Sequence, residues 1–453
     1  MLAVDAGDIF QGTAFYKLYH GEVEVNLLNK AGYDIYTIGN HEFDDGPDNL
    51  AKQLKSARFD IISANLDASA VPELAGLVKR SVIKRVCGRD VAFVGAITPD
   101  LEQVSLNLKG VKVIKGQASV ADRSWIEPIR EEVRRLAAQG IERIILVTHC
   151  GLERDRLLAE SIPEVDAIVG GHSHTRLGRA QVVAHRDGSS TVIVQTGCYS
   201  RALGELKLAF DCRGLLILPE LDYHLIEITD RIPEEPEMKA YIAEKGRPLL
   251  ALKNQVAGIA LGDFDNRFSL YPWDSPIGDL VCDALAEAGS KYGATIAFQN
   301  RGGIRGRIDR GLVSMEKVGE VLPFDNHLVL ATVQGSAILG ALEHSVSGKL
   351  GAQFLDVHGL KVSYDPSRQP GKRILSVLAI DHRGRWHKIK PAANYRIAIN
   401  DYTFSGGEGY NFAGARDVQS TDQTVAHLLA VYLERHRKVR PQPHTRIQPV
   451  HAR

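Results

Sequence analysis

The chain has 453 residues, of which 44% are hydrophobic, and its 55 basic side chains balance 55 acidic ones, so that the formal net charge is zero. This length and composition predict two or more globular domains, and the balanced charge argues against general nucleic-acid binding. Five cysteines without CxxC spacing indicate neither a zinc ribbon nor a dense disulfide framework, and no stretch approaches the length of a transmembrane helix.

Two short apolar runs near the start of the chain end in polar residues. The first closes at Gly7 and delivers Asp8, and the second, Tyr33–Ile38, closes at Gly39 directly before Asn40. Ligand sites in open α/β sheets collect at such carboxyl ends of strands. A lone Gly-Asp after a strand, however, is commonly a turn or a helix cap.

Two later β-rich runs end in histidine. Ile144–Val147 leads to His149, and Ala167–Gly171 leads to His172 and His174. Imidazoles two residues apart on irregular backbone can converge on neighbouring ions, whereas a single strand-end histidine is commonly a satisfied surface group.

The four strand ends together offer one carboxylate, one amide and four imidazoles. This set suits Zn, Mn or Co, and Mg is less well matched to so many imidazoles. The most specific motif is Gly39–Asp44, Gly-Asn-His-Glu-Phe-Asp, because Asn followed by His is a poor choice for the end of a core strand. The sequence therefore predicts a divalent metal site.

The chain divides by pattern into two domains. Residues 1–222 alternate short strands with helical segments such as Trp125–Gln139, which predicts an α/β domain. A linker helix is expected within 223–253, and a second domain over 254–434. Residues 435–453, rich in Arg, His and Pro, are predicted to be a mobile tail.

The second domain carries a candidate anion site. Asn300 and Arg305 lie on either side of a glycine turn, where backbone can approach an anion and the guanidinium can bind it bidentately. Taken alone, this pattern is also typical of a hairpin with a surface arginine. The glycines at Gly406 and Gly407 favour a loop site near Tyr402 over ordinary core packing.

These motifs resemble the 5′-nucleotidase family. The resemblance implies a four-layer αββα calcineurin-like metallophosphoesterase domain, followed by an α+β C-terminal domain. It also implies two divalent ions bridged by Asp8, and it assigns the remaining ligands to Asn40, His149 and His172 for one ion and His174 for the other. His41 would contact the phosphate and stabilise the leaving oxygen, with Asp44 orienting its imidazole.

The resemblance extends to substrate binding. Phe354 and Tyr402 occupy the positions that stack on a nucleobase, and Glu408 lies where the family has an aspartate that holds ribose hydroxyls. One departure weakens the phosphate end, because Trp273 lies where the family has an arginine and cannot donate to a phosphate. Arg301, which lies where glycine is usual, and Arg267 are the candidates to compensate for it.

A further departure concerns the first residues. Family members carry an Asp-x-His motif upstream of the position of Asp8, and nothing precedes Met1. Two interpretations follow: either the true start lies upstream, or the protein is a relative with weakened or no hydrolysis.

The expected activity is hydrolysis of nucleoside 5′-monophosphates, with sugar nucleotides or 2′,3′-cyclic nucleotides as further substrates. A thiosulfohydrolase of sulfur oxidation and a catalytically inactive nucleotide-binding protein are the alternatives. The resemblance implies a periplasmic or extracellular location, although the chain shows no signal peptide. No nucleic-acid partner is expected, and the sequence does not indicate an oligomeric state.

Overall fold

The structure, a computed structural model, describes residues 1–105, 107–116, 123–267, 273–348, 351–442 and 446–450. By their contacts the residues separate into two compact units, each described by itself below. The first unit comprises Met1–Gln11 and Leu18–Lys245, and the second comprises Gly12–Lys17 and Gly246–Arg453. None of the described helices is long and apolar enough to cross a membrane.

The strands of the first unit are β1 (Val4–Asp5), β2 (Ile35–Thr37), β3 (Asp60–Ile62), β4 (Leu66–Asp67), β5 (Val78–Lys79), β6 (Ser81–Val86), β7 (Arg89–Ile97), β8 (Lys112–Val113), β9 (Ile144–His149), β10 (Ala167–Gly170), β11 (Gln181–Ala184), β12 (Ser190–Val194), β13 (Ala202–Lys207) and β14 (Asp222–Glu227). The helices up to its end are α1 (Ala14–Tyr19), which straddles both units, α2 (Glu22–Ala31), α3 (Gly46–Leu54), α4 (Pro72–Ala75), α5 (Leu101–Val104), α6 (Glu127–Ala138), α7 (Leu152–Ser161) and α8 (Pro236–Gly246).

Two sheets form the centre of the first unit. The smaller has the order β1-β2-β3-β5, and the larger has the order β11-β12-β10-β9-β7-β6. β1, β2 and β3 are parallel to one another, as are β7, β9, β10 and β12. The carboxyl ends of these strands therefore meet at one edge of each sheet, which is where α/β folds place ligand sites.

Strand β7 shows how the layers pack. Val91 and Phe93 contact the smaller sheet, whereas Ala92, Val94 and Ala96 face α6 and α7 on the opposite side. Because both faces are buried, the strand is a continuous apolar run rather than an alternating one. The expected αββα arrangement is confirmed.

The strands of the second unit are β15 (Val256–Ala260), β16 (Ile296–Asn300), β17 (Gly311–Ser314), β18 (His327–Gln334), β19 (Leu355–His358), β20 (Leu360–Tyr364), β21 (Ile374–Ile380), β22 (Trp386–Lys388), β23 (Asn394–Asn400), β24 (Arg416–Thr424), β25 (Lys438–Val439) and β26 (Ile447–Pro449). Its helices are α9 (Leu250–Asn254), α10 (Pro276–Ser290), α11 (Met315–Val321), α12 (Gly335–Ser345), α13 (Asp401–Phe404) and α14 (Val425–His436).

A five-stranded sheet, in the order β19-β16-β23-β18-β24, divides the second unit into two cores. Helices α10 and α14 cover one face, and Leu285 and Leu429 are fully buried there. The other face packs on the sheet β22-β21-β20-β26 and on α12, where Phe298 and Phe354 are fully buried. This is the expected α+β domain.

The predicted linker differs from the structure. β14 pairs with β13 along its whole length, so residues 223–227 belong to a hairpin of the first unit rather than to a linker. The single helix predicted over Glu237–Lys253 is divided, because α8 ends at Gly246 and α9 begins at Leu250 after a 3₁₀ turn.

The prediction of a mobile tail is wrong for its described residues. α14 continues to His436, β25 pairs with β15, and β26 pairs with β20. Arg446 does not point into solvent, because its guanidinium donates to Asp283 Oδ1 at 2.7 Å and its backbone N–H donates to Asp274 Oδ2 at 3.2 Å. Residues 443–445 and 451–453 of the predicted tail lie outside the described residues.

Candidate active site

Asp8 lies in a strained turn directly after β1. Its φ of 63° is in the left-handed region, which residues other than glycine rarely adopt. Gly39 packs so closely on the carboxylate that a Cβ there would lie 2.3 Å from Asp8 Oδ1. The backbone N–H of His41 donates to the same oxygen at 2.9 Å. The turns after β1 and β2 therefore pack directly on each other and orient Asp8.

The buried carboxylate of Glu42 joins these two turns. Oε2 accepts from the backbone N–H groups of Asp8 at 2.9 Å and Gly39 at 2.7 Å, and Oε1 accepts from Phe10 at 3.1 Å. Burial and the neighbouring Asp8 carboxylate raise the pKa of Glu42 to about 7. Glu42 is not among the residues predicted from the sequence, although it lies inside the most specific motif.

Two histidines from the larger sheet approach Asp8. Ligand atoms of Asp8, His149 and His172 all lie within 4.8 Å of one another. His149 Nε2 is 2.9 Å from Asp8 Oδ2, and His172 Nδ1 is 3.0 Å from Asn40 Oδ1. The structure thus brings together four of the predicted metal ligands.

The protonation of His149 shows that this cluster fits a cation. Its Nδ1 lies 2.6 Å from the carbonyl oxygen of Ala6, which can only accept, so Nδ1 carries a proton. Nε2 is buried without a hydrogen-bond partner among the described residues, although Asp8 Oδ2 is close. Burial alone disfavours the imidazolium, but the Asp8 carboxylate outweighs it and raises the pKa of His149 to about 9.

A proton on Nε2 would therefore lie next to the Asp8 carboxylate. A divalent ion would replace that proton, because metal binding needs a neutral imidazole and an ionised carboxylate. Burial and the neighbouring His149 lower the pKa of His172 to about 3, so that its ring is neutral as a metal ligand must be. The residues present fit a divalent ion.

His174 lies outside this group. It is exposed, and its ring packs edge-on to Tyr199 with centroids 5.6 Å apart. Both His172 and His174 have positive φ values, 73° and 54°. A ligand role for His174 on a second ion stays a prediction.

The predicted pair of His41 and Asp44 is formed. Nδ1 of His41 lies 2.8 Å from Asp44 Oδ2, and each side chain is 16% exposed. The two residues lie three positions apart at the 3₁₀ turn His41–Phe43, which brings them to the same side. Because Nδ1 faces a carboxylate, the proton is assigned to Nδ1.

In the second unit, three of the five predicted substrate residues lie at or near the turn that contains Gly302. Glu408 Oε1 lies 3.0 Å from the position that a Cβ on Gly302 would take. A Cβ on Gly407 would lie 2.4 Å from the ring of the half-buried Tyr402, so the loop packs flat on that ring. Arg305 follows the same turn, with its guanidinium 5.3 Å from the ring centroid of Phe324.

Phe354 does not present a free face for a base, contrary to the prediction. Its side chain is 0% exposed, and the guanidinium of Arg301 lies 4.5 Å from its ring centroid. Arg301 is held there by Asp356, to which it donates from Nε at 3.1 Å and from NH2 at 2.6 Å. The side chain of Arg301 thus covers one side of the predicted base site.

The prediction that Asn300 contacts substrate is also contradicted. The residue is 2% exposed, and its Oδ1 accepts from Gln299 at 3.2 Å, Asn400 at 3.1 Å and Thr403 at 3.1 Å. Its carboxamide oxygen joins the end of β16 to the start of α13. Asn300 therefore organises the loop that carries Tyr402 rather than facing a ligand.

Comparison with known proteins gives matches over both units. The family model for calcineurin-like phosphoesterases matches residues 2–176, and the model for the 5′-nucleotidase C-terminal domain matches residues 260–415. The crystal structure of a 5′-nucleotidase precursor from Thermus thermophilus is 32% identical, with a TM-score of 0.92, and the alignment covers 99% of this chain and 90% of that one.

Two curated relatives differ in length. The 5′-nucleotidase of Bos taurus is 29% identical, and the alignment covers 99% of this chain and 82% of the relative. A trifunctional nucleotide phosphoesterase of Bacillus subtilis is 30% identical over 90% of this chain, but this chain spans only 30% of its length. With both domain types matched in order and one solved relative aligned over nearly its full length, the chain belongs to the 5′-nucleotidase family of metal-dependent phosphoesterases.

Proposed function

We propose that this protein is a 5′-nucleotidase that hydrolyses nucleoside 5′-monophosphates to nucleoside and phosphate. The observation that carries the proposal is the cluster of Asp8, His149 and His172, whose ligand atoms lie within 4.8 Å of one another. The backbone N–H of His41 donates to the Asp8 carboxylate, so an acid–base side chain lies beside that cluster.

Asp8, Asn40, His149 and His172 would hold one divalent ion, and Asp8 with His174 would contribute to a second. Bound Zn, Mn or Co would activate a water molecule near neutral pH and neutralise the phosphoryl oxygens. The chain's own part is to keep Asp8 ionised. Burial opposes this, but the adjacent His149 and His41 outweigh it and hold the pKa of Asp8 well below its usual range.

His41 is the proposed proton donor to the leaving 5′ oxygen. Since Asp44 accepts the Nδ1 proton, proton exchange with a substrate falls to Nε2. The carboxylate of Asp44 fixes the orientation of the ring, so that Nε2 is the atom that can exchange a proton with the leaving oxygen.

Residues of the second unit are the proposed nucleoside contacts. Tyr402 offers a half-buried aromatic ring for a base, and Glu408 offers a carboxylate for ribose hydroxyls. Arg305 offers a guanidinium for the phosphate. Because any base has a π face, this arrangement predicts tolerance of several bases.

The test is phosphate release from 5′-AMP by the full chain with added Mn, Co or Zn, compared with release from ribose 5-phosphate, which lacks the base. Activity should vanish with a chelator and return with metal. Stacking of one base should favour 5′-AMP by roughly 5- to 150-fold in kcat/KM. Equal rates on the two substrates would contradict nucleotide specificity.

Two other outcomes would support the alternatives. Tight binding of 5′-AMP without phosphate release, in the presence of each metal, would indicate a nucleotide-binding protein. Sulfate release from a thiosulfonate, without phosphate release from 5′-AMP, would indicate a thiosulfohydrolase.

A further inference from the structure

Gln195 lies directly after β12, at the same sheet edge as the ends of β9 and β10. We propose that Gln195 is a positioning residue, which holds the loop carrying His172 and His174 in the conformation that binds metal. The inference rests on the proposed metal-dependent function. The side chain is 1% exposed, so water cannot readily substitute for its contacts.

Both ends of the Gln195 amide are used. Oε1 accepts from the backbone N–H of Thr175 at 2.6 Å and from the hydroxyl of Ser173 at 2.9 Å. Nε2 donates to the carbonyl oxygen of Gly171 at 3.0 Å. Two donors face the oxygen and one acceptor faces the nitrogen, so the orientation of the amide is self-consistent.

The three contacted residues alternate with the two histidines. The side chain of Gln195 contacts all three residues, Gly171, Ser173 and Thr175. His172 and His174 lie between them in the sequence. A single amide therefore contacts the chain on both sides of each candidate ligand, through the backbone of Gly171 and Thr175 and through the hydroxyl of Ser173.

This loop needs external support because its conformation is unfavourable. His172 and His174 have φ values of 73° and 54°, which L-residues adopt only when their surroundings enforce it. Ser173 Oγ also accepts from the backbone N–H of Leu152 at 3.1 Å, which links the loop to α7. Other amino acids would not reproduce the contacts of Gln195. Methionine has a similar shape but makes none of them, and glutamate cannot donate to Gly171.

The test is the affinity of the full-length Gln195→Met variant for Mn²⁺, measured by isothermal titration calorimetry. Loss of a residue that orients metal ligands should raise the Kd for Mn²⁺ by about 10- to 100-fold. At saturating Mn²⁺, the KM for 5′-AMP should equal that of the wild type, because the variant alters ligand placement and not nucleoside contacts. A purely structural role would not single out metal affinity.

Gln53→Met is the matched control. Gln53 is also buried in the first unit, but its Nε2 donates to Asn49 within α3. This variant should bind Mn²⁺ like the wild type. Ser173→Ala removes one of the three Gln195 contacts, together with the acceptor of the Leu152 N–H, at an exposed residue. It keeps the two contacts of Gln195 with the backbone, so it should weaken Mn²⁺ binding less than Gln195→Met does.

The outcomes separate the two proposals. Wild-type affinity in Gln195→Met would overturn the inference and leave the proposed function standing. If Gln195→Met does not fold, Ser173→Ala decides, and unchanged affinity there would overturn the inference. A wild-type chain that binds neither Mn, Co nor Zn would overturn the proposed function and the inference with it.

Discussion

Two histidine–aspartate pairs in the first unit differ in surroundings rather than in geometry. His41 with Asp44 and His20 with Asp45 both have an Nδ1–Oδ2 distance of 2.8 Å. The first pair is 16% exposed at each side chain, whereas the second is 55% and 32% exposed. The His41 backbone also contacts Asp8. At the residue scale, burial and a position beside the candidate metal ligand Asp8 distinguish the pair of His41 and Asp44 from the surface pair.

We therefore expect His41→Asn to lower kcat for 5′-AMP hydrolysis by about 10²- to 10⁴-fold, the usual contribution of a general acid. Metal affinity should be unchanged, because the contact with Asp8 is made by the backbone. His20→Asn is the matched control and should keep wild-type kcat. Steady-state kinetics with Mn²⁺ titration checks both, and equal losses in the two variants would refute the assignment.

A buried ion pair explains why the base site was predicted poorly. The resemblance to the family implies that Arg301 lies where glycine is usual, but it does not indicate where the arginine side chain lies. Asp356 is fully buried and accepts from the backbone N–H of Ser275 at 2.8 Å. A buried carboxylate in this setting needs a cationic partner, and Arg301 provides it while covering Phe354. Such a pairing depends on tertiary structure and is not visible in local sequence patterns.

At the scale of elements, the strand-end rule found the candidate ligands but not their supports. Asp8, Asn40, His149 and His172 each lie at or shortly after the carboxyl end of a strand, and the structure brings these strand ends from both sheets together. The sequence does not indicate the role of Glu42, because its carboxylate accepts from backbone N–H groups and the positions of these groups depend on the fold. Gln195 also follows a strand, but its contacts with the loop of His172 and His174 depend on tertiary structure.

The turns after β1 and β2 should depend on Glu42. In Glu42→Gln, one amide oxygen would replace two carboxylate oxygens that accept from Asp8, Phe10 and Gly39. At least one buried N–H would lose its acceptor, which costs about 1–3 kcal/mol, and the Asp8 carboxylate would lose its fixed position. We expect a lower Tm and weaker Mn²⁺ binding in this variant.

Glu24→Gln is the control for that variant. Glu24 is a half-buried carboxylate of α2 whose Oε2 has no hydrogen-bond partner among the described residues, and burial raises the pKa of Glu24 to about 7. Removing its charge should leave Tm unchanged or higher. Thermal denaturation with and without Mn²⁺ compares the two. A Glu42→Gln variant as stable and as metal-binding as Glu24→Gln would contradict the role of Glu42.

For the whole molecule, the order of the two domains and their fold classes were predictable, and their boundaries were not. Periodicity indicates that a strand exists, but the pairing of β14 with β13 depends on residues 15 to 25 positions apart. The tail was misjudged for a similar reason. Its composition is that of a flexible segment, yet Arg446 is held by Asp283 and by the buried Asp274, which lie far away in the sequence.

The buried aspartates that receive this C-terminal segment should make stability depend on pH. Asp279 is 2% exposed, and its oxygens have no hydrogen-bond partner among the described residues, although Arg446 Nε lies 3.4 Å from Oδ1. Burial outweighs the attraction of Arg446 and raises the pKa of Asp279 to about 9. The folded protein therefore retains a proton that the unfolded chain loses at a pH of roughly 4.

Between these two values unfolding releases that proton, so the contribution of Asp279 to stability falls as the pH rises from about 4 to about 9. The slope is at most about 1.4 kcal/mol per pH unit. Asp279→Asn keeps the shape of the side chain and removes its titrating group. The variant should therefore be more stable than the wild type at pH 8.5, and this gain in stability should be smaller at pH 5.5. Urea denaturation at both pH values measures the difference. A gain that is the same at both would show that Asp279 is ionised in the folded protein, with Arg446 as its effective partner.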